Sequence, residues 1–279
     1  MHPRAARLAA VLVTVSLAAC GGTDTRHDSA PGSTRIPDLP GDAIPKPEAR
    51  SRYGNGPEYE VFGKQYTVLS SSAGYQERGV ASWYGTKFHG NRTSNGETYD
   101  MYQMTAAHKT LPLPTFVRVR NLHNNKTIIV RVNDRGPFVH NRVIDLSYVA
   151  ALKLDMIRSG TSLVEVTAIS FDAPAGNWPT RRVMESPPPA IPTPTSASTT
   201  VSEQIYVQVG AFGESVNAER RLRLLTSAGI AGGLIYTDQT VSPTLFRVRI
   251  GPIADVVQYD VLVEELETLG ISDPYLITE

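Results

Sequence analysis

Apolar residues in this chain come in short alternating runs. From Ile128 to Asn133, Ile128, Val130 and Val132 alternate with Ile129, Arg131 and Asn133, a strand with one face inward. Asp134-Arg135-Gly136-Pro137 follows. Proline cannot donate to a ladder and glycine permits a sharp bend, so the strand ends there and leaves Asp134 beside a turn with a cation next to it. Further runs at Gly79–Tyr84, Phe116–Leu122, Val143–Leu146 and Leu163–Phe171 are broken by turn residues, among them Asn95-Gly96 and Asn124-Asn125. Residues 77–172 therefore read as a small β barrel with one helix, capped by Ser147 and running to Leu154.

The pattern changes at residue 204. Ile205–Phe212 alternates as a strand, Ser215–Ala228 reads as a helix stopped by Gly229, and strands follow at Ala231–Thr237 and Leu245–Ile250. A helix over Ala254–Leu269 presents Val257, Val261, Leu262, Leu266 and Leu269, and Tyr275–Thr278 closes as a strand. The order βαββαβ over 204–279 implies a four-stranded antiparallel sheet with both helices on one face and the other face open. Strict alternation puts Val207, Val209 and Ala211 toward the helices, and Tyr206, Gln208, Gly210, Arg247 and Arg249 on the open face.

Residues 20–76 and 173–203 lack such periods. The first is rich in Gly, Pro, Ser and charge and reads as a flexible tether, within which Glu60–Tyr66 suggests a strand docked on the barrel. The second, with Pro187-Pro188-Pro189, reads as an extended spacer. Residues 1–19 form an export signal: Arg4 and Arg7 precede an apolar run from Leu8 to Ala19, too short to span a bilayer. Leu17-Ala18-Ala19-Cys20 resembles the lipobox of bacterial lipoproteins, which implies a lipidated Cys20 at the mature N-terminus and a membrane anchor facing the periplasm; the absence of Asp after the Cys is compatible with the outer membrane. Cys20 is the only cysteine, which excludes an internal disulfide and a Cys-rich metal site.

Charge refines this. The chain has 27 basic and 27 acidic residues, but 77–172 holds 12 Lys and Arg against 8 Asp and Glu, and 204–279 holds 5 Arg against 10 acids. The second unit has the layout of an RNA-recognition fold, yet its net −5 argues against phosphate binding, so no nucleic acid is expected. His89, His108, His123 and His140 lack paired zinc-ligand spacing, so neither metal nor cofactor is expected.

Candidate chemistry lies in the barrel. Asp134 and Asp145, with Glu97 beside the Asn95-Gly96 turn and His108, suggest acid/base work on a polymer. The alternative is that each acid caps a turn or pairs with an Arg. Trp83 and Tyr84 alternate across a strand, so one of them should face the groove.

Gly79-Val80-Ala81-Ser82-Trp83-Tyr84-Gly85, Phe88-His89-Gly90, Thr93-Ser94-Asn95-Gly96-Glu97, Thr105-Ala106-Ala107-His108-Lys109-Thr110-Leu111-Pro112, Val132-Asn133-Asp134-Arg135-Gly136-Pro137 and Ile144-Asp145-Leu146-Ser147 resemble, in that order, the rare lipoprotein A (RlpA) family. One departure is Ser94-Asn95, where the family often has Ala-Ser. The resemblance implies a double-psi β barrel, a closed six-stranded fold shared with expansins, and lytic transglycosylase activity, a lyase reaction, on peptidoglycan stripped of its stem peptides. For that reaction the residues suggest Asp134 as acid/base, Glu97 as second carboxylate and His108 as orienting or hydrogen-bonding one of them, with Trp83, Tyr84, Asn133 and Arg135 as candidate substrate contacts and Asp145 as scaffold or a further contact. Tyr206-Val207-Gln208-Val209-Gly210-Ala211-Phe212 and Phe246-Arg247-Val248-Arg249-Ile250-Gly251-Pro252 resemble the SPOR domain. That implies binding of denuded glycan strands at division septa, with Tyr206, Gln208, Arg247 and Arg249 as candidate contacts. No motif identifies a division-machinery protein as partner. A wall-binding protein that grips glycan without cutting it, as expansins do, is the alternative; a hydrolase giving a reducing end is a weaker third.

Overall fold

The computed structural model describes residues 30–31, 39–139, 141–171, 203–271 and 274–279. Cys20, His140 and the spacer 173–202 lie outside the described residues. Six strands close into a barrel: β3 (Gln76–Tyr84), β4 (Thr105–His108), β5 (Thr115–Asn121), β6 (Thr127–Asp134), β7 (Arg142–Ser147) and β8 (Ser162–Ile169), paired in the circular order β3-β7-β4-β6-β5-β8. β3 runs parallel to β7 and β4 parallel to β6; the other neighbours are antiparallel. This is the expected double-psi barrel. The alternation in β6 delivers Ile128, Val130 and Val132 to an interior shared with Val117, Val119, Ile144, Leu146 and Val164. Each such side chain contributes about 1.5–3 kcal/mol by leaving water. Helix α1 (Tyr148–Lys153) covers one end, its N-cap Ser147 accepting from Ala150 N at 3.3 Å.

Residues 39–76 are not a tether. They wrap the barrel as a strap and then a hairpin of β1 (Glu58–Val61) and β2 (Lys64–Thr67). Ala43 N donates to Ile129 O at 3.0 Å and Ser51 N to Leu113 O at 2.9 Å. The hairpin docks through Tyr59 and Tyr66, stacked at 5.3 Å, against Phe138. Composition hid this because the strap is held by side-chain and backbone hydrogen bonds, not by a periodic apolar face.

The second unit comprises β9 (Ile205–Phe212), α2 (Ser215–Ser227), β10 (Gly233–Asp238), β11 (Leu245–Ile250), α3 (Val256–Thr268) and β12 (Tyr275–Thr278), with sheet order β10-β11-β9-β12, all antiparallel. Two expectations are corrected. Val209 is an extra residue in β9: Gln208 pairs with Arg249 and Gly210 with Val248. The bulge reverses alternation beyond it, so Ala211 lies exposed opposite Arg247 and Phe212 packs against the core. In α3 the buried stripe is Val256, Tyr259, Leu262, Val263 and Leu266, while Val257 and Val261 are 72% and 52% exposed. Asp255 caps this helix at its side chain, accepting from Gln258 N at 2.8 Å, and so sets its start and its phase. The unit rests on the barrel through Val80, Leu122 and Leu163, with Asp260 accepting from Asn141 at 3.0 Å and pairing with Arg142 at 3.3 Å.

Candidate active site

The short strand β4 sits between β6 and β7, and its Ala107 pairs with Asp134 on one side and Asp145 on the other. Both carboxylates therefore flank a methyl side chain. The register shifts between Ala106 and Ala107, which pair with Val132 and Asp134, so Asn133 is a bulge residue. Bulges re-aim the side chains beside them. Here Asn133 and Asp134 are turned to separate tasks.

Asp134 is gripped by one oxygen. Its Oδ1 accepts from Ser94 N at 2.7 Å, Ser94 Oγ at 2.6 Å and Arg135 N at 2.8 Å. Oδ2 has no hydrogen-bond partner among the described residues. Ser94 belongs to a turn organised by Asn95, whose Oδ1 accepts from Thr93 Oγ1 at 2.7 Å and Glu97 N at 3.1 Å. The departure at Ser94-Asn95 thus places a hydroxyl on Asp134.

Glu97 emerges from the same turn. Both its oxygens accept from Arg131 Nη1 at 2.9 Å, and Oε2 accepts from Asn133 Nδ2 at 2.8 Å. Burial opposes its ionisation, but the amides of Asn133 and Asn95 and the charge of Arg131 outweigh that and hold the carboxyl below its ordinary value. Glu97 is thereby held as the carboxylate. Beside it opens a cleft of about 690 Å³, lined by Glu97, Asn133, Arg131, Thr105 and strap residues from Pro40 to Glu48.

Three buried polar atoms around these groups lack a well-formed hydrogen bond: Tyr84 Oη, Thr105 Oγ1 and Asn133 Oδ1. Because Asn133 must turn its amide nitrogen to Glu97, its oxygen is left as an acceptor. Tyr84 is 8% exposed, stacked on Tyr99 at 4.1 Å and edge-on to Phe88, so its ring has no face for a sugar. Burial, Tyr99, Asp134 and Asp145 push its hydroxyl well above the usual range, so it remains a donor. Trp83 is half-buried, edge-on to Tyr148 at 5.8 Å. Asp145 accepts from Ser82 Oγ.

His108 touches neither Asp134 nor Glu97. It is 2% exposed, and its Nδ1 accepts from Thr110 N at 3.1 Å and Leu111 N at 3.0 Å. The proton must then sit on Nε2, which faces Tyr75 Oη at 2.7 Å, and Tyr75 in turn donates to Glu77. Burial, with Arg135 and Lys109 nearby, pushes the imidazole down to about 3, so it stays neutral. What His108 shapes is the turn at 108–111, and that turn supplies carbonyls to Arg135. Arg135 donates to Leu111 O at 2.6 Å, His108 O at 3.1 Å and Gly54 O at 2.6 Å. Its guanidinium is a clamp on backbone and spends its hydrogen bonds on carbonyls, not on the Asp134 carboxylate. His108 is thus linked to Asp134 only through the backbone that seats the adjoining Arg135.

On the SPOR-like sheet, Gln208 is 2% exposed and donates to Tyr275 Oη; Arg247 Nε donates to Asp238 Oδ2 at 2.8 Å; Arg249 pairs with Glu279 and lies 4.0 Å over the Tyr236 ring. Tyr206 donates to Gln204 at 2.6 Å. Sequence reading did not single out Ser94, Arg131, Thr105 or Glu48. Ser94 and Thr105 lie in quoted motifs and Arg131 on the polar face of β6; Glu48 carries no signal at all.

Residues 76–166 match the family described as lytic transglycolase, and residues 202–278 match the SPOR domain. The chain is 36% identical over 276 residues to the endolytic peptidoglycan transglycosylase RlpA of Vibrio cholerae, covering 96% of this chain and 95% of that one. It is 38% identical to the RlpA of Pseudomonas aeruginosa, over 88% of this chain and 81% of the other. The crystal structure of the RlpA SPOR domain from Pseudomonas aeruginosa is 26% identical, with a TM-score of 0.22, covering 26% of this chain and 96% of that one. With a barrel, a sheet domain and near full-length relatives in agreement, the chain belongs to the RlpA family of endolytic peptidoglycan transglycosylases.

Proposed function

We propose that this chain cleaves the MurNAc-GlcNAc bond of peptide-free glycan strands by lytic transglycosylation, leaving 1,6-anhydro-MurNAc ends. The observation that carries this is the Asp134 carboxylate, with Oδ1 saturated by three donors and Oδ2 open, held by Ser94 of the same turn from which an ionised Glu97 emerges. A proton on Asp134 resides on Oδ2. It passes to the glycosidic oxygen as the C1–O bond breaks and that oxygen takes the electron pair. The muramyl C6 hydroxyl then attacks C1, and its proton returns to Asp134, so no water is consumed. Glu97 contributes fixed negative charge to the oxocarbenium-like state. Tyr84, Thr105 and Asn133 offer donors and an acceptor to sugar hydroxyls and acetamides. Asp145, across Ala107 from Asp134, borders the same region. His108 and Arg135 position the Asp134 turn.

The C-terminal sheet binds denuded glycan and brings the enzyme to septa. Cys20 carries the lipid that anchors the chain, most simply to the outer membrane. Binding by one domain makes engagement of the other effectively intramolecular. The test is digestion of amidase-treated, peptide-free sacculi by the full chain and by Asp134→Asn, read by mass spectrometry. Anhydro-ended sugars from wild type alone support the proposal. Reducing ends would make the protein a hydrolase, and bound but uncut glycan would make it a wall-binding protein.

A further inference from the structure

Glu48 lies on the strap, outside the segment that matches the lytic transglycolase family. Its carboxylate accepts from Arg131 Nε at 3.1 and 3.2 Å and from Nη2 at 2.6 Å. The remaining nitrogen, Nη1, serves Glu97. A guanidinium is a rigid planar fork, so fixing two of its nitrogens directs the third. The Glu48 and Arg131 side chains are 22% and 20% exposed, so water competes little for this pair; Lys46, 3.7 Å from Glu48, is itself 68% exposed. The strap is fastened on both sides of Glu48. Upstream, Asp42 Oδ2 accepts from Ile129 N at 3.1 Å; downstream, Ser51 Oγ donates to Asn95 O at 3.0 Å. Gly54, with φ +76°, lies so close to the barrel that a Cβ there would fall 2.8 Å from Ser94 O. The strap therefore presses on the residue that holds Asp134 and grips the residue that holds Glu97.

We propose that Glu48 is a positioning residue for the reaction: it aims Arg131 at Glu97, and the strap from Asp42 to Gly56 completes the cleft from outside the barrel. The proposal rests on the reading of Glu97 as the second carboxylate. Without Glu48, Arg131 swings off, and Glu97 loses its orientation and, beside the hydrogen bonds of Asn133 and Asn95 that remain, the positive charge that helps to keep it ionised.

The test is steady-state cleavage of peptide-free glycan by the full chain, comparing wild type, Glu48→Ala and Glu97→Gln across pH. Glu48→Ala is expected to lower kcat roughly ten- to a hundredfold, the scale of a small misplacement, with KM within about twofold. The acid limb of its profile should move to higher pH, as Glu97 becomes easier to protonate; a merely structural role would leave that limb in place. Unchanged kcat, or an acid limb moved to lower pH, would overturn the proposal, the latter because Arg131 would then have stayed on Glu97 unaided. Should Glu48→Ala melt well below wild type, Glu48→Gln, which keeps the bulk and one acceptor, carries the same comparison. An inactive Glu97→Gln beside a fully active Glu48→Ala retires this proposal alone. A fully active Glu97→Gln retires the reading of Glu97 and this proposal with it.

Discussion

The barrel cleft and the open sheet are both lined with polar side chains, but they treat them in opposite ways. In the barrel, donors converge on one end of each functional group and leave the other end open: Asp134 is held at Oδ1 and Asn133 at its amide nitrogen, while Thr105 and Tyr84 are left without well-formed bonds. On the sheet the groups satisfy each other, Arg247 with Asp238, Arg249 with Glu279 and Gln208 with Tyr275. A buried polar atom without a partner costs about 1–3 kcal/mol; in the barrel Asn133 Oδ1 carries that cost, whereas Tyr84 and Thr105 lie close enough to offset part of each other's. On the sheet Arg249 Nε is likewise unpartnered, but most groups there are paired, so a ligand must largely exchange one set of hydrogen bonds for another. The barrel is built for a few demanding contacts, the sheet for weak contacts repeated along a strand.

The comparison is broken most sharply at Asp134. Asp134→Asn keeps an acceptor for Ser94 and Arg135 but removes the transferable proton, and cleavage should fall by roughly 10²–10⁴ in rate while glycan is still retained in pull-downs. The clamp behind it can be tested by pH. His108 is neutral when folded, its value depressed to about 3, whereas an unfolded imidazole protonates below about 6.5. The unfolded state therefore binds the extra proton first, and stability present above about pH 6.5 is lost as pH falls toward 3, at a limiting slope of about 1.4 kcal/mol per unit from this group. His108→Asn, whose side-chain oxygen can still accept from Thr110 and Leu111, should flatten that slope in thermal melts between pH 7 and 5.

On the sheet the expected effects are smaller. Gln208→Ala with Arg247→Ala in the Asp134→Asn background should weaken retention on denuded glycan by about tenfold, since each lost group was already shared with a neighbour. Full retention would remove this face from the binding site. The smallest effect belongs to the contact between the two units: Asp260→Ala, which breaks a partly buried pair at 3.3 Å, should lower stability by about 1 kcal/mol in denaturant titrations.

Alternation made most strands legible, and with them the barrel and the βαββαβ sheet. What escaped were the places where alternation fails. β4 has four residues, Thr105 to His108, too few to show a period, yet it lies between the two aspartates. The bulges at Asn133 and Val209 each insert one residue, and each inverts every inference beyond it. Motifs pointed to Asp134 and Glu97 as candidates; what surrounds them could not be read, because Ser94 reaches Asp134 across 40 residues, Arg131 reaches Glu97 across 34, and Glu48 reaches Arg131 across 83. Arg135 shows the same limit: its adjacency to Asp134 suggested an ion pair, whereas its side chain spans to carbonyls 24 to 81 residues away.

The docked strap also sets a leash. Had all of residues 20–76 been free, the chain between Cys20 and the barrel could have extended to nearly 200 Å, at about 3.3–3.6 Å per residue. Fastening begins near Leu39, so whatever their conformation the 19 residues from Cys20 span at most about 65 Å. With the lipid on Cys20 as proposed, the same segment that carries Glu48 to Arg131 confines cutting to a shell of wall close to the membrane. Lengthening the leash by inserting residues before Leu39 would widen that shell without touching the cleft.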